Sequence, residues 1–225
     1  MIADACAPSV ATRKDGLGRV FVSYRAPMEA WLRSCGDGAE RAAEITQAFF
    51  TDVVLRRDIL SSATEGRGRL RNLIKTALKR YRIDLVRRDE AREHAECRAA
   101  EHRGVPAVAA ADEAFDAEWA CTQLQLALDR VRARLEASGR TQEWRVFELC
   151  VLEPTLHHRA PPTMHEVAVV IGVRDAATAS NLLYQVRRRV VSALHEVISE
   201  TVGAAGDFRE EIAHVESVLR AAAIR

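Results

Sequence analysis

Apolar residues return along most of this chain at steps of three and four, the spacing that gathers them on one side of an α-helix. In "AERAAEITQAFFTDVVLRR" the stripe is Ala42, Ile45, Phe49 and Val53, widened by Phe50, and the other face carries Glu40, Glu44, Gln47 and Thr51. Such a helix packs on one side and offers carboxylates and an amide on the other. The preceding "VFVSYRAPMEAWLRSC" predicts another helix, stopped by the "CGDG" of Cys35 to Gly38. Residues 1–18 read as a flexible tail.

Beyond a loop at "DILSSATEGRG", the stretch "RLRNLIKTALKRYRIDLVRRDEAR" predicts a helix with Leu70, Ile74, Ala77, Tyr81 and Leu85 buried. Arg71, Lys75, Lys79 and Arg82 form a separate basic stripe on it. Arg67, Arg69, Arg80, Arg87 and Arg88 add charge, and Asp84 is the only acid between Gly66 and Arg88. From Glu93 to Asp116 the periodicity fades and Gly104 and Pro106 intervene, which predicts a linker over 93–116. It would join a first helical domain over 19–92 to a second over 117–200.

The second half restarts with "FDAEWACTQLQLALDRVRARLEASG", a long helix closed by Gly139, and "TQEWRVFELCVLEP", a shorter one closed by Pro154. Then "MHEVAVVIGVRDAATASNLLYQVRRRV" sets a short apolar helix, a glycine and a second helix close together. In a helix-turn-helix a small residue lets two helices approach and glycine takes the backbone angles of the turn; Ala168 and Gly172 stand where those needs arise. Val167, Ile171 and Val173 supply apolar contacts, and Pro161, Pro162 and Thr163 suit a helix start. The second helix turns Ala179, Leu183, Val186, Val190 and Leu194 inward and leaves Thr178, Asn181, Gln185 and Arg188 on a polar stripe. Asn and Gln pair with adenine edges, Arg reaches guanine edges, and Arg187 and Arg189 suit phosphates. The plain alternative is a solvated arginine triplet. Residues 201–225 predict a last amphipathic helix, with Asp207 as cap and Phe208, Ile212, Val215 and Leu219 as its stripe, expected to pack back on the second domain.

Composition sharpens this picture. Few glycines, prolines and aromatics among 225 residues fit an all-α fold of two small helical domains. The net charge is only +1, so affinity for nucleic acid must come from local patches. Five cysteines without CxxC pairing, Cys6, Cys35, Cys97, Cys121 and Cys150, suit reduced thiols, mostly as small core residues. The adjacent His157 and His158 suit a solvated loop better than a metal. With no apolar run of membrane-spanning length and no secretory leader, a cytoplasmic protein is expected. No phosphate-cradling loop, metal-ligand spacing or nucleophile with its base is recognisable, so neither an enzyme nor a cofactor or metal is expected.

In order and spacing these segments resemble the extracytoplasmic-function sigma factors, the two-domain promoter-recognition subunits of bacterial RNA polymerase. "AAEITQAFF" is similar to that family's A-E-D-L-x-Q-E-x-F helix, "RGRLRNLIKTALKRYRIDLVRR" to its arginine-rich helix, and "MHEVAVVIGV" with "NLLYQVRRRV" to its helix-turn-helix. Arg80 and Leu70 depart from it, standing where many relatives have Asn and an aromatic. The resemblance implies a first domain that binds the polymerase core and melts the minus-ten element, and a second that reads the minus-thirty-five element. Glu44 and Gln47 would face the core. Arg67, Arg69, Arg71, Lys75, Lys79, Arg82, Arg87 and Arg88 would lie near promoter DNA in the first domain, and Thr178, Asn181, Gln185, Arg187, Arg188 and Arg189 in the second. Implied partners are the polymerase core, promoter DNA and an inhibitory anti-sigma protein, with no membrane. Two other readings stay open: a helix-turn-helix regulator that acts without polymerase, and a helical protein-interaction module.

Overall fold

A computed structural model describes residues 2–7, 10–57, 59–60, 70–96, 108–202 and 208–223. Among them there is no strand, and the fold is all-α. The helices are α1 (Ile2–Ala5), α2 (Val10–Ser34), α3 (Ala39–Phe49), α4 (Leu70–Glu96), α5 (Val108–Ala137), α6 (Thr141–Phe147), α7 (Glu153–His157), α8 (Met164–Ile171), α9 (Ala176–Ser199) and α10 (Phe208–Ala223). No helix is long and apolar enough to cross a membrane, among the described residues.

The chain divides into two compact units, one of Met1–Gln123 with Ile198–Arg225 and one of Leu124–Val197. This departs from the expected division in three ways. Residues 10–18 are not tail but the start of α2, and α1 folds onto them: Ala5 is fully buried, Asp4 pairs with Arg19, and Gly16 lies so close to Ala5 that a Cβ there would stand 2.2 Å from the Ala5 nitrogen. Residues 108–116, expected in the linker, are the first turns of α5, with Ala111 and Phe115 fully buried. Of the rest of the expected linker, residues 93–96 are the end of α4 and residues 97–107 lie outside the described residues. Finally, α10 belongs to the first unit, not the second.

The first unit buries Tyr24, Met28 and Leu32 of α2, Phe49 of α3, Leu70, Ile74 and Leu78 of α4, and Phe115 and Trp119 of α5. Each Met, Leu, Ile or Phe side chain so enclosed contributes about 1.5–3 kcal/mol of transfer free energy. The stripe expected on α3 is present: Ala42, Ile45, Phe49 and Val53 are buried and Phe50 half-buried, its ring edge-on to Phe21 at 4.9 Å. After Phe49 the helix widens into a π turn, Phe50–Leu55, where the Arg56 N–H donates to the Thr51 carbonyl. On α4 the deeply buried line is Leu70, Ile74 and Leu78, while Ala77, Tyr81 and Leu85 are only half-buried. The helix is therefore turned from the expected register.

The second unit packs Ala127, Val131 and Leu135 of α5 and Trp144, Val146 and Phe147 of α6 against Val167, Ala168 and Ile171 of α8 and Ala179, Leu183, Val186 and Val190 of α9. Gly139 follows the end of α5, as its sequence suggests. Pro154 does not end a helix. It sits in the first turn of α7, directly after a π turn over Glu148–Leu152, and the chain leaves α7 through His158. Cys35 and Cys150 are buried, Cys6 half-buried and Cys121 exposed.

Candidate nucleic-acid interface

The segment from Thr163 to Arg189 builds a small polar surface on well-fixed ends. Thr163 caps α8: its hydroxyl accepts from the Glu166 N–H, and the Glu166 carboxylate accepts from the Thr163 N–H at 2.8 Å. The N–H and the hydroxyl of Thr163, both donating to it at 2.8 Å, hold the Glu166 carboxyl below the ordinary glutamate range. At the other end Gly172 adopts φ 72°, and the Val173 and Gly172 N–H groups donate to the carbonyls of Ala168 and Val169. That paired closure needs a left-handed residue, which glycine provides without a Cβ penalty. Three residues later Asp175 starts α9 by accepting from both the hydroxyl and the N–H of Thr178 at 2.7 Å, which holds its carboxyl low.

From that start α9 turns its apolar side into the second unit and its other side to water. Asn181, Gln185, Arg187 and Arg188 are exposed. Thr178 is half-buried and its hydroxyl already serves the cap, so it is a poor base-reading group. Arg189 leaves the exposed row: it is half-buried and pairs with the buried Glu143, which also accepts from Arg140. What the sequence pattern overlooked is Tyr184, 61% exposed between Asn181 and Gln185, with the Arg188 guanidinium 5.9 Å from its ring centroid. An aromatic among apolar neighbours reads by default as core, and only its helical angle beside Asn181 and Arg188 signals otherwise.

In the first unit the basic stripe of α4 is neutralised. Arg71, 4% exposed, donates to Glu211 of α10 at 2.9 Å and to Asp116 of α5 at 2.7 Å, and stacks on Trp119. Lys75 reaches Asp116 at 2.9 Å, Lys79 reaches Asp112 at 2.6 Å, and Arg82 reaches Asp37 at 2.8 Å. These four cations, expected near promoter DNA, face acids of their own unit, supplied by α5 and α10 for Arg71, Lys75 and Lys79 and by the turn between α2 and α3 for Arg82. Arg80, Arg87 and Arg88 are exposed instead. Arg67 and Arg69 lie outside the described residues.

Glu44 and Gln47 are exposed on α3, and Glu44 makes a surface pair with Arg41 at 3.5 Å. Beside Gln47 an open groove of about 790 Å³ runs between α2 and α3, with Leu17, Phe21, Phe50 and Leu55 in its walls and Arg13 and Lys14 at its rim. Most of its α2 wall, from Arg13 to Gly18, lies in residues whose sequence resembles a tail. Among the described residues no group of histidines, cysteines and carboxylates could hold a metal ion. No protein-family description, curated protein or solved structure matches the chain.

Proposed function

We propose that this protein is a promoter-recognition subunit of the sigma type, non-catalytic, which brings bacterial RNA polymerase core to DNA. The observation that carries the reading is the exposed row of Asn181, Gln185 and Arg188 on a helix fixed at its start by Asp175 and braced through Gly172 by α8. A helix-turn-helix lays its second helix in the major groove, where amide and guanidinium groups match the edges of adenine and guanine. The groove beside Gln47 supports core binding, since its apolar walls and polar rim suit a helix of a partner.

The test is transcription in vitro with bacterial core polymerase on fragments carrying candidate promoters, together with core pull-down. A transcript that depends on the chain is the expected result. The absence of both a transcript and core binding would defeat the proposal. A second reading gains from the neutralised stripe of α4: a DNA-binding regulator that acts without polymerase, its first unit not facing DNA. Specific DNA binding without core capture would select it.

A further inference from the structure

An aromatic side chain that is 61% exposed on a helix contributes little to folding, and tyrosine is not a favoured residue for a solvated helix face. Tyr184 is nevertheless placed one turn before Arg188 and one after Ser180, on the side of α9 that carries Asn181 and Gln185. Its ring does not pack into the second unit's core. Among the described residues its ring meets a guanidinium: Arg188 lies 5.9 Å from the centroid. Stacking on a ring restricts a long flexible arginine, so less freedom is lost when that arginine later forms a bidentate pair.

In a major groove the two side chains would meet complementary features. The guanidinium fits O6 and N7 of guanine, and thymine presents a C5 methyl that takes apolar contact. Residues four apart on a helix are about 6 Å apart along its axis, less than the rise of two base pairs, so they address neighbouring steps. We infer that Tyr184 is a specificity-determining residue of the DNA-reading face: its ring contacts a thymine methyl and positions Arg188 on an adjacent guanine. This deepens the proposed DNA-reading role and rests on it.

The experiment selects binding sites from a random duplex DNA pool with the full-length chain at low ionic strength, then replaces each thymine of the selected site by deoxyuridine, which removes only the methyl. One such replacement lowers wild-type affinity about fourfold, the effect of one buried carbon. Tyr184→Ala binds more weakly, no longer distinguishes thymine from deoxyuridine at that position, and loses preference at the adjacent guanine. Tyr184→Phe keeps both preferences, since the ring and not the hydroxyl is at work. Circular dichroism checks that both variants keep the wild-type helix content. A Tyr184→Ala protein that retains the methyl preference, or a wild type indifferent to every thymine methyl, overturns the inference while leaving the DNA-reading role standing. No enriched sequence at all overturns that role, and this inference with it.

Discussion

Taking a guanidinium out of water costs several kcal/mol, so Arg71 at 4% exposure depends on the groups that face it: Glu211, itself 1% exposed, Asp116 and the Trp119 ring. Removing Glu211 leaves that charge half-compensated. Glu211→Ala is expected to lower the first unit's stability by about 3 kcal/mol, whereas Arg71→Met with Glu211→Leu recovers most of the loss. Urea denaturation followed by tryptophan fluorescence measures both, and a near-neutral Glu211→Ala would show that the pair is not buried in solution. His214 titrates in the same cluster. Burial, and then the charge of Arg71, hold its imidazole below the ordinary histidine range despite Asp116, which lies 3.7 Å away, and Glu211, which pull the other way; Lys75 adds to the lowering. The unfolded chain therefore takes up a proton at about pH 6.5 that the folded chain refuses until lower pH. Stability falls as pH drops below about 6.5 and levels off once the folded histidine is also protonated. His214→Asn removes that step. An unchanged slope in stability measured from pH 7.5 to 5 would refute the assignment.

At the scale of elements, closing backbone geometry matters more than contact at Gly172. A Cβ there would meet nothing within 4 Å, yet the residue stands at φ 72°. Gly172→Ala should therefore cost the second unit about 1 kcal/mol through backbone strain alone, read as a lower urea midpoint with an unchanged slope. No change in midpoint would mean that the turn does not hold this conformation. This turn was legible because it is local: Thr163, Ala168, Gly172 and the stripe of Ala179, Leu183 and Val186 carry their own instructions within a few residues. The same holds for α3 and for the glycines that stop α2 and α5. Features set by distant partners were not legible. Residues 10–18, with two glycines and three charges, look like tail until Ala5 is seen against Gly16. The cations of α4 look exposed because periodicity shows one apolar face, while a helix covered on two sides can carry a second, ionic one. Asp112, Asp116 and Glu211 complete that face from 33 to 140 positions away in sequence. The candidate site divides in the same way: Asn181, Gln185 and Arg188 follow from helical angle, but the loss of Arg189 to Glu143 follows only from packing.

For the molecule as a whole, a net charge of +1 with four cations of α4 internally paired leaves little field to draw the free chain to DNA. Under the proposed function, useful affinity arises when a partner holds the reading face near its site, so that weak contacts act at high effective concentration. The α3 surface is where that partner is proposed to dock. Glu44 and Gln47 are exposed, and replacing exposed residues ordinarily moves stability by less than about 0.5 kcal/mol. Core capture by a Glu44→Lys, Gln47→Lys double variant should nevertheless weaken at least about tenfold, because a reversed charge and a lost amide at a docking edge together exceed about 1.4 kcal/mol. Titration of labelled chain against bacterial core polymerase measures the loss, and thermal unfolding verifies that the variant is as stable as the parent. Equal capture by variant and parent would remove α3 from the docking surface. The low charge then makes a separate demand on the free protein: its binding to duplex DNA should be feeble at physiological salt and become measurable only as salt is lowered. Tight, sequence-specific binding by the isolated chain at physiological salt would mean that the second unit alone supplies the affinity, and would favour the regulator that works without polymerase.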